Sequence, residues 1–187
     1  MAEYVQNFID VRSFDHVVLM GNSLGGHIAA LLAFKNPRNV QGLILTGSSG
    51  LFERGFSRIP GVHPRKEWIA EKCREVFYDD CHATEEVVEG VWNIINERSK
   101  LRILIQLAKS AKRDNIADIL QYITCPTLLI WGKQDQITPP EVARQFQRLI
   151  PKSELVWLDK CAHAPMMECP EEFGRVLSRW WKNLGLS

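Results

Sequence analysis

Three residues set far apart in the chain have the types needed for nucleophilic acyl chemistry: Ser23, Asp135 and His163. Ser23 lies in Gly21-Asn22-Ser23-Leu24-Gly25, a G-x-S-x-G sequence between an apolar run and a helical pattern. A sharp strand-to-helix turn lifts the hydroxyl clear of a sheet, and it asks for small residues two positions either side of the serine. The amides that open the following helix point at the same spot and favour negative charge developing there. A serine hydroxyl is a poor nucleophile until a base takes its proton, and a histidine held by a carboxylate is the usual base. Of the five histidines, His16 falls in a strand and His27 reads as a packing group one turn into the helix after Ser23. His63 and His82 fall in a helical middle region. His163 follows a strand, in a loop at its C-terminal end, where open parallel sheets meet their ligands. Asp135 is the matching carboxylate, in the loop Trp131-Gly132-Lys133-Gln134-Asp135 beyond another strand. Asp159 sits too near His163 in sequence to reach beneath its ring, and reads as a solvated loop residue.

The elements that must position these residues are legible as periodicities. Tyr4, Val5, Phe8 and Ile9 have helical spacing. The runs 16–20, 42–46, 127–131 and 154–158 are short, apolar and partly β-branched, as strands buried on both faces are. Helices are expected at about 24–35, closed by Asn36-Pro37, and after Thr138-Pro139-Pro140-Glu141, which has the form of a capping box. That second helix turns Val142, Phe146, Leu149 and Ile150 inward, and a last one repeats Phe173, Val176, Leu177, Trp180, Trp181 and Leu184 on one face. Strands alternating with helices at this spacing predict an α/β fold with a parallel sheet. Between Leu51 and Leu120 no strand is evident, and helical runs at 68–77 and 85–112 dominate. The expected division is therefore a core of residues 1–50 and 120–187, with residues 51–119 inserted as a helical cap, or lid. Its aromatics Phe52, Phe56, Trp68, Phe77, Tyr78 and Trp92 either line a pocket or pack the cap onto the sheet.

Bulk properties exclude several classes. The 187 residues suit one domain, and 45% hydrophobic with 24% charged residues is ordinary for a globular protein. A net charge of +1, from 23 basic and 22 acidic side chains, gives no long-range field for nucleic acid or an anionic membrane, so neither partner is expected. No run is long enough to cross a bilayer, and residues 1–10 lack the apolar stretch of a secretion signal. Cys73, Cys81, Cys125, Cys161 and Cys169 are odd in number and scattered, which suits free thiols in a reducing, cytoplasmic setting. No Cys-x-x-Cys pair occurs, and no metal or cofactor is expected.

The chain resembles the α/β-hydrolase superfamily in three blocks: Gly21-Asn22-Ser23-Leu24-Gly25-Gly26, Trp131-Gly132-Lys133-Gln134-Asp135, and His163-Ala164-Pro165-Met166-Met167-Glu168-Cys169-Pro170-Glu171-Glu172-Phe173. The third is similar to the H-x-P-x-x-E-x-P-x-x-F pattern of small esterases and carbon–carbon bond hydrolases. The resemblance implies Ser23 as nucleophile, Asp135 as acid, His163 as base and the Leu24 backbone N–H as one oxyanion donor. It implies a serine hydrolase of small carboxylic esters working through an acyl-enzyme. The alternatives are hydrolysis of a carbon–carbon bond beside a ketone, or a non-catalytic remnant or subunit. Ala162 stands where relatives often carry Gly. Family members also place about four strands and a His-Gly loop before the serine, whereas here one helix and one strand precede it and no His-Gly pair occurs. The expectation is a truncated core of about four strands, either part of a longer protein or a minimal form. Its first strand is then an apolar edge open to a second copy in a homodimer, or to a missing N-terminal half.

Overall fold

The computed structural model describes residues 1–53 and 65–185. Phe56 and His63 lie outside those residues. In chain order the elements are α1 (Ala2–Val11), β1 (Val17–Asn22), α2 (Leu24–Lys35) and β2 (Val40–Thr46). After them come α3 (Lys66–Arg74), a short 3-10 turn (Asp80–His82), α4 (Glu85–Asn96), α5 (Arg98–Arg113) and α6 (Ala117–Leu120). The chain closes with β3 (Thr127–Gly132), α7 (Pro140–Leu149), β4 (Ser153–Leu158), α8 (Pro165–Glu168) and α9 (Pro170–Asn183).

The four strands form one parallel sheet in the order β1-β2-β3-β4. Period-two alternation divides the apolar side chains between its faces. Leu43, Leu45, Leu129 and Trp131 meet Ala29, Ala30 and Ala33 of α2 and Val142, Ala143 and Phe146 of α7. Ile44, Leu128 and Ile130 point the other way, onto Phe173, Val176 and Trp180 of α9. Burial on both faces holds for β2 and β3, which are buried almost throughout, and fails for the outer strands. Among the described residues β1 pairs only with β2; it is largely half-buried and leaves Met20 57% exposed, while β4 is mostly half-buried. An edge strand lacks a neighbour on one side, so the same apolar spelling buries less.

Four further expectations change in detail. His16 precedes β1 and is exposed, because the parallel ladder opens at Val17. The run 85–112 is two helices, broken where Glu97 takes an extended conformation. Trp181 is 42% exposed, off the buried stripe of α9. Thr138 is not a helix cap: α7 opens on Pro139 with no side-chain cap bond, and Pro140, which has no N–H to satisfy, fills the first turn. The Thr138 hydroxyl is engaged elsewhere, as shown below.

The described residues between β2 and β3 are helices, turns and irregular segments without a strand, with a small apolar cluster of Ile69, Cys73 and Val88. Trp68 and Trp92 pack against that cluster and Phe77 is buried, while Phe52 and Tyr78 are exposed. Trp68 and Trp92 thus pack within the insertion itself, and this cluster contains no residue of the sheet.

Candidate active site

In a parallel sheet all C-terminal strand ends share one edge, so loops distant in sequence become neighbours. Ser23 follows β1 directly and has φ +53° and ψ −122°, outside the regions an L-residue prefers. Its N–H donates to the Thr46 carbonyl, while its own carbonyl accepts from Gly26, His27 and Ser49. Local strain of this kind costs on the order of 1–3 kcal/mol and persists only where surroundings over-determine it. Those four backbone bonds supply the constraint. The absence of side chains matters at Gly21 and Gly26 rather than at Gly25. A Cβ on Gly21 would lie 2.2 Å from the Gly25 backbone, and one on Gly26 2.5 Å from the Ser48 hydroxyl, whereas one on Gly25 would meet nothing within 4 Å.

Asp135, 2% exposed, holds four hydrogen bonds. Its Oδ1 accepts from the backbone N–H of Ile137 at 2.8 Å and of Thr138 at 2.9 Å. Its Oδ2 accepts from the Thr138 hydroxyl at 2.8 Å and lies 2.9 Å from His163 Nδ1. Those four donors match the lone-pair capacity of an ionised carboxylate. The Thr138 hydroxyl also lies 3.3 Å from His163 Nδ1.

The loops bearing Asp135 and His163 hold one another. Lys133 N–H donates to Leu158 O, Gln134 N–H to Cys161 O, and Cys161 N–H to Gln134 Oε1. Gly132 allows this approach, since a Cβ there would stand 2.2 Å from the Ala162 carbonyl oxygen. Asn22 completes the frame: its amide donates to both Thr46 oxygens and, at 2.9 Å, to the His163 carbonyl.

Asp135 and His163 are thus in direct contact and Ser23 stands in the same ring of loops, but no hydrogen bond joins Ser23 to His163 among the described residues. The nearest hydroxyl partner of Ser23 is Ser49, with the two Oγ atoms 3.5 Å apart. Leu24 opens α2, and as the first residue of the helix its backbone N–H has no intrahelical acceptor. Asp159 is exposed and bonded to Gln134 and Lys133, and the Gln134 amide followed by the Lys133 charge lowers its pKa, as a solvated loop carboxylate. Cys161, two residues before His163, is fully buried, and that burial raises the pKa of its thiol.

His27 is buried at 3% exposure, both ring nitrogens lack a hydrogen-bond partner among the described residues, and burial lowers its pKa. It stands behind the elbow against Gly50, consistent with packing. Sequence reasoning does not single out Asn22, Thr138 or Glu168. Asn22 and Glu168 lay inside recognised motifs, as the variable letter of G-x-S-x-G and the Glu of H-x-P-x-x-E. Thr138 carried a competing signal, the capping-box spelling.

A four-stranded parallel sheet flanked by helices, with a strained serine at the first strand end and an Asp–His pair at the last two, is the α/β-hydrolase arrangement. The family model described as serine aminopeptidase, S33 matches residues 1–170, and the chain belongs to that family. It is similar in structure to an α/β-hydrolase enzyme from the metagenome of lagoon sediments at Mar Chica, Morocco, with 41% identity and a TM-score of 0.75 over 97% of this chain and 68% of that one. The 2-hydroxy-6-oxo-6-phenylhexa-2,4-dienoate hydrolase of Rhodococcus sp. strain RHA1 shares the fold at 21% identity, with a TM-score of 0.82 over 97% of this chain and 69% of that one. In sequence the chain is 27% identical to the 2-hydroxy-6-oxononadienedioate/2-hydroxy-6-oxononatrienedioate hydrolase of Cupriavidus pinatubonensis, over 92% of this chain and 64% of that relative. It is 29% identical to Lipase 1 of Psychrobacter immobilis, over 81% of this chain and 51% of that relative. The chain therefore spans less than two thirds of these curated relatives' lengths.

Proposed function

We propose that this chain carries the reacting residues of a serine hydrolase of small carboxylic esters. The observation that carries the reading is the buried His163–Asp135 contact of 2.9 Å, set in the same ring of loops as a backbone-strained serine. Ser23 attacks the ester carbonyl, and His163, with its proton on Nδ1 toward Asp135, accepts the serine proton on Nε2. In the reacting arrangement a hydrogen bond from Ser23 to His163 replaces the weak contact with Ser49, as catalytic hydrogen bonds often tighten only once substrate is bound. The tetrahedral oxyanion is met by the Leu24 N–H at the start of α2. His163 then returns the proton to the leaving alcohol, and water releases the acyl group from Ser23. Residues 51–119 act as a cap over this edge of the sheet and select the substrate.

Carbon–carbon bond hydrolysis is the second reading, favoured by the names of several relatives, that of Cupriavidus pinatubonensis among them. In that case the same serine attacks a ketone. A p-nitrophenyl ester series beside a vinylogous 1,5-diketone distinguishes the two by kcat/KM.

Labelling with a fluorophosphonate probe, read by mass spectrometry, tests the common step. The expected result is one adduct on Ser23, absent in Ser23→Ala and strongly slowed in His163→Ala. A chain that takes no label, or labels equally after Ser23→Ala, overturns the reading. Five free thiols support a reducing, cytoplasmic setting. The open edge of β1 supports pairing with a second copy, for which solution scattering at dimer mass is the expected result and monomer mass the contrary one.

A further inference from the structure

The base stands on a segment whose backbone is gripped from two sides. Glu168, half-buried at the end of α8, directs both carboxylate oxygens at backbone donors. Its Oε1 accepts from Ala162 N–H at 3.0 Å and Ala164 N–H at 3.1 Å, the residues either side of His163. Its Oε2 accepts from Ala162 N–H at 3.1 Å and from Tyr78 N–H at 2.6 Å. The remaining amide of the trio, His163 N–H, donates to Val76 O at 3.1 Å. Three successive amides around the base are therefore all bound. Two go to Glu168, and the third goes to the same stretch of the helical insertion that donates to Glu168 through Tyr78.

We infer that Glu168 is the positioning residue for His163 and that it ties the base to the insertion between β2 and β3. The inference rests on the reading of His163 as base. Hydrogen bonds from backbone N–H to a carboxylate are charge-assisted and roughly twice as strong as neutral ones. A single carboxylate that accepts from both flanks of one residue holds its Cα against translation and its peptide planes against rotation. That control matters because a catalytic side chain must sit within about 0.5 Å of its working position. It also joins two parts of the chain: displacement of the 76–78 segment pulls on His163 N–H and on Glu168 together. The pattern H-x-P-x-x-E thus has a physical content. The proline starts a one-turn helix that brings the carboxylate back beneath the amides it must receive.

The two obvious variants differ in a useful way. Glu168→Ala removes every acceptor. Glu168→Gln keeps one oxygen for Ala162 and Ala164 but turns an NH2 toward the Tyr78 N–H, donor against donor, so it holds the base loop and loses the tie to Tyr78, while His163 N–H keeps its bond to Val76 O. The experiment uses the full chain and two readouts. One is the far-downfield proton resonance of His163 Nδ1–H in its bond to Asp135, assigned by its loss in Asp135→Asn and requiring no turnover. The other is the rate of fluorophosphonate labelling at Ser23, with circular dichroism to establish that each variant is folded. Glu168→Ala is expected to lose the resonance and to label about 100-fold more slowly, the scale of a 1 Å misplacement. Glu168→Gln is expected to keep the resonance and recover most of the labelling rate. Persistence of both signals in Glu168→Ala overturns the inference, as does a Gln variant no better than Ala. A wild-type chain that shows the resonance but takes no label overturns instead the reading of Ser23 as nucleophile, so the two failures are separate.

Discussion

Replacing glycines one at a time around Ser23 separates the requirement of the motif from the requirement of the structure. An alanine Cβ at position 21 would sit 2.2 Å from Gly25 C, 2.3 Å from Gly25 O and 2.5 Å from Gly26 N. All three are backbone atoms at the start of α2, so no side chain can swing aside and the helix must move relative to β1. Overpacking a well-filled site costs typically 1–3 kcal/mol, and a backbone collision belongs at about 3 kcal/mol or above. For a chain of this size each kcal/mol shifts Tm by roughly 2–4 °C, so Gly21→Ala is expected to melt about 6–12 °C lower. It should also lose Ser23 labelling, because the displaced turn carries the proposed nucleophile. Gly25 meets nothing within 4 Å and lies in the first turn of α2, where alanine is the better helix former by about 0.5–1 kcal/mol. Gly25→Ala should therefore melt at or slightly above the wild-type temperature and label at the wild-type rate. Thermal denaturation by circular dichroism and probe labelling measure both effects. Equal damage from the two substitutions would refute the reasoning, since it would mean that the motif demands two glycines for a reason other than the space around each Cα.

Two further outcomes follow from the buried titratable groups. Asp135→Asn keeps the shape of the side chain but presents an amide where Oδ2 accepts from His163 Nδ1 and the Thr138 hydroxyl; kcat on a p-nitrophenyl ester should fall about 10⁴-fold with KM little changed, by analogy with the same change in a serine protease. His27 has its pKa lowered by burial from 6.5, so the unfolded chain binds its proton more readily than the folded one. Stability from this group is full above the unfolded value, declines as pH falls through 6.5, and levels off once the folded form also protonates. His27→Leu should flatten that part of the curve in urea denaturation across the acid range, and an unchanged slope would count against a buried neutral imidazole.

Much of this protein was legible in its residues. Local spelling marked the four strands and α2, because apolar β-branched runs and helical spacing are local properties. Ser23, Asp135 and His163 were legible as candidates because each stands just beyond a strand, and a parallel sheet sends all such positions to one edge. What local pattern could not express is how groups from different loops compete for the same donor or acceptor. Thr138 spells a helix cap, yet its hydroxyl goes to Asp135, a choice made only when β3 and β4 bring the two loops together. Gly21 and Gly25 look equivalent in the motif, and only the packing of α2 on β1 makes one indispensable and the other free. Glu168 finds its partners at Ala162, Ala164 and Tyr78, the last of them 90 residues away, so no periodicity could announce it. Side-chain type and spacing fix which elements form and where the reactive groups attach. Long-range hydrogen bonding, which exists only after the sheet assembles, decides which of those groups are held for chemistry.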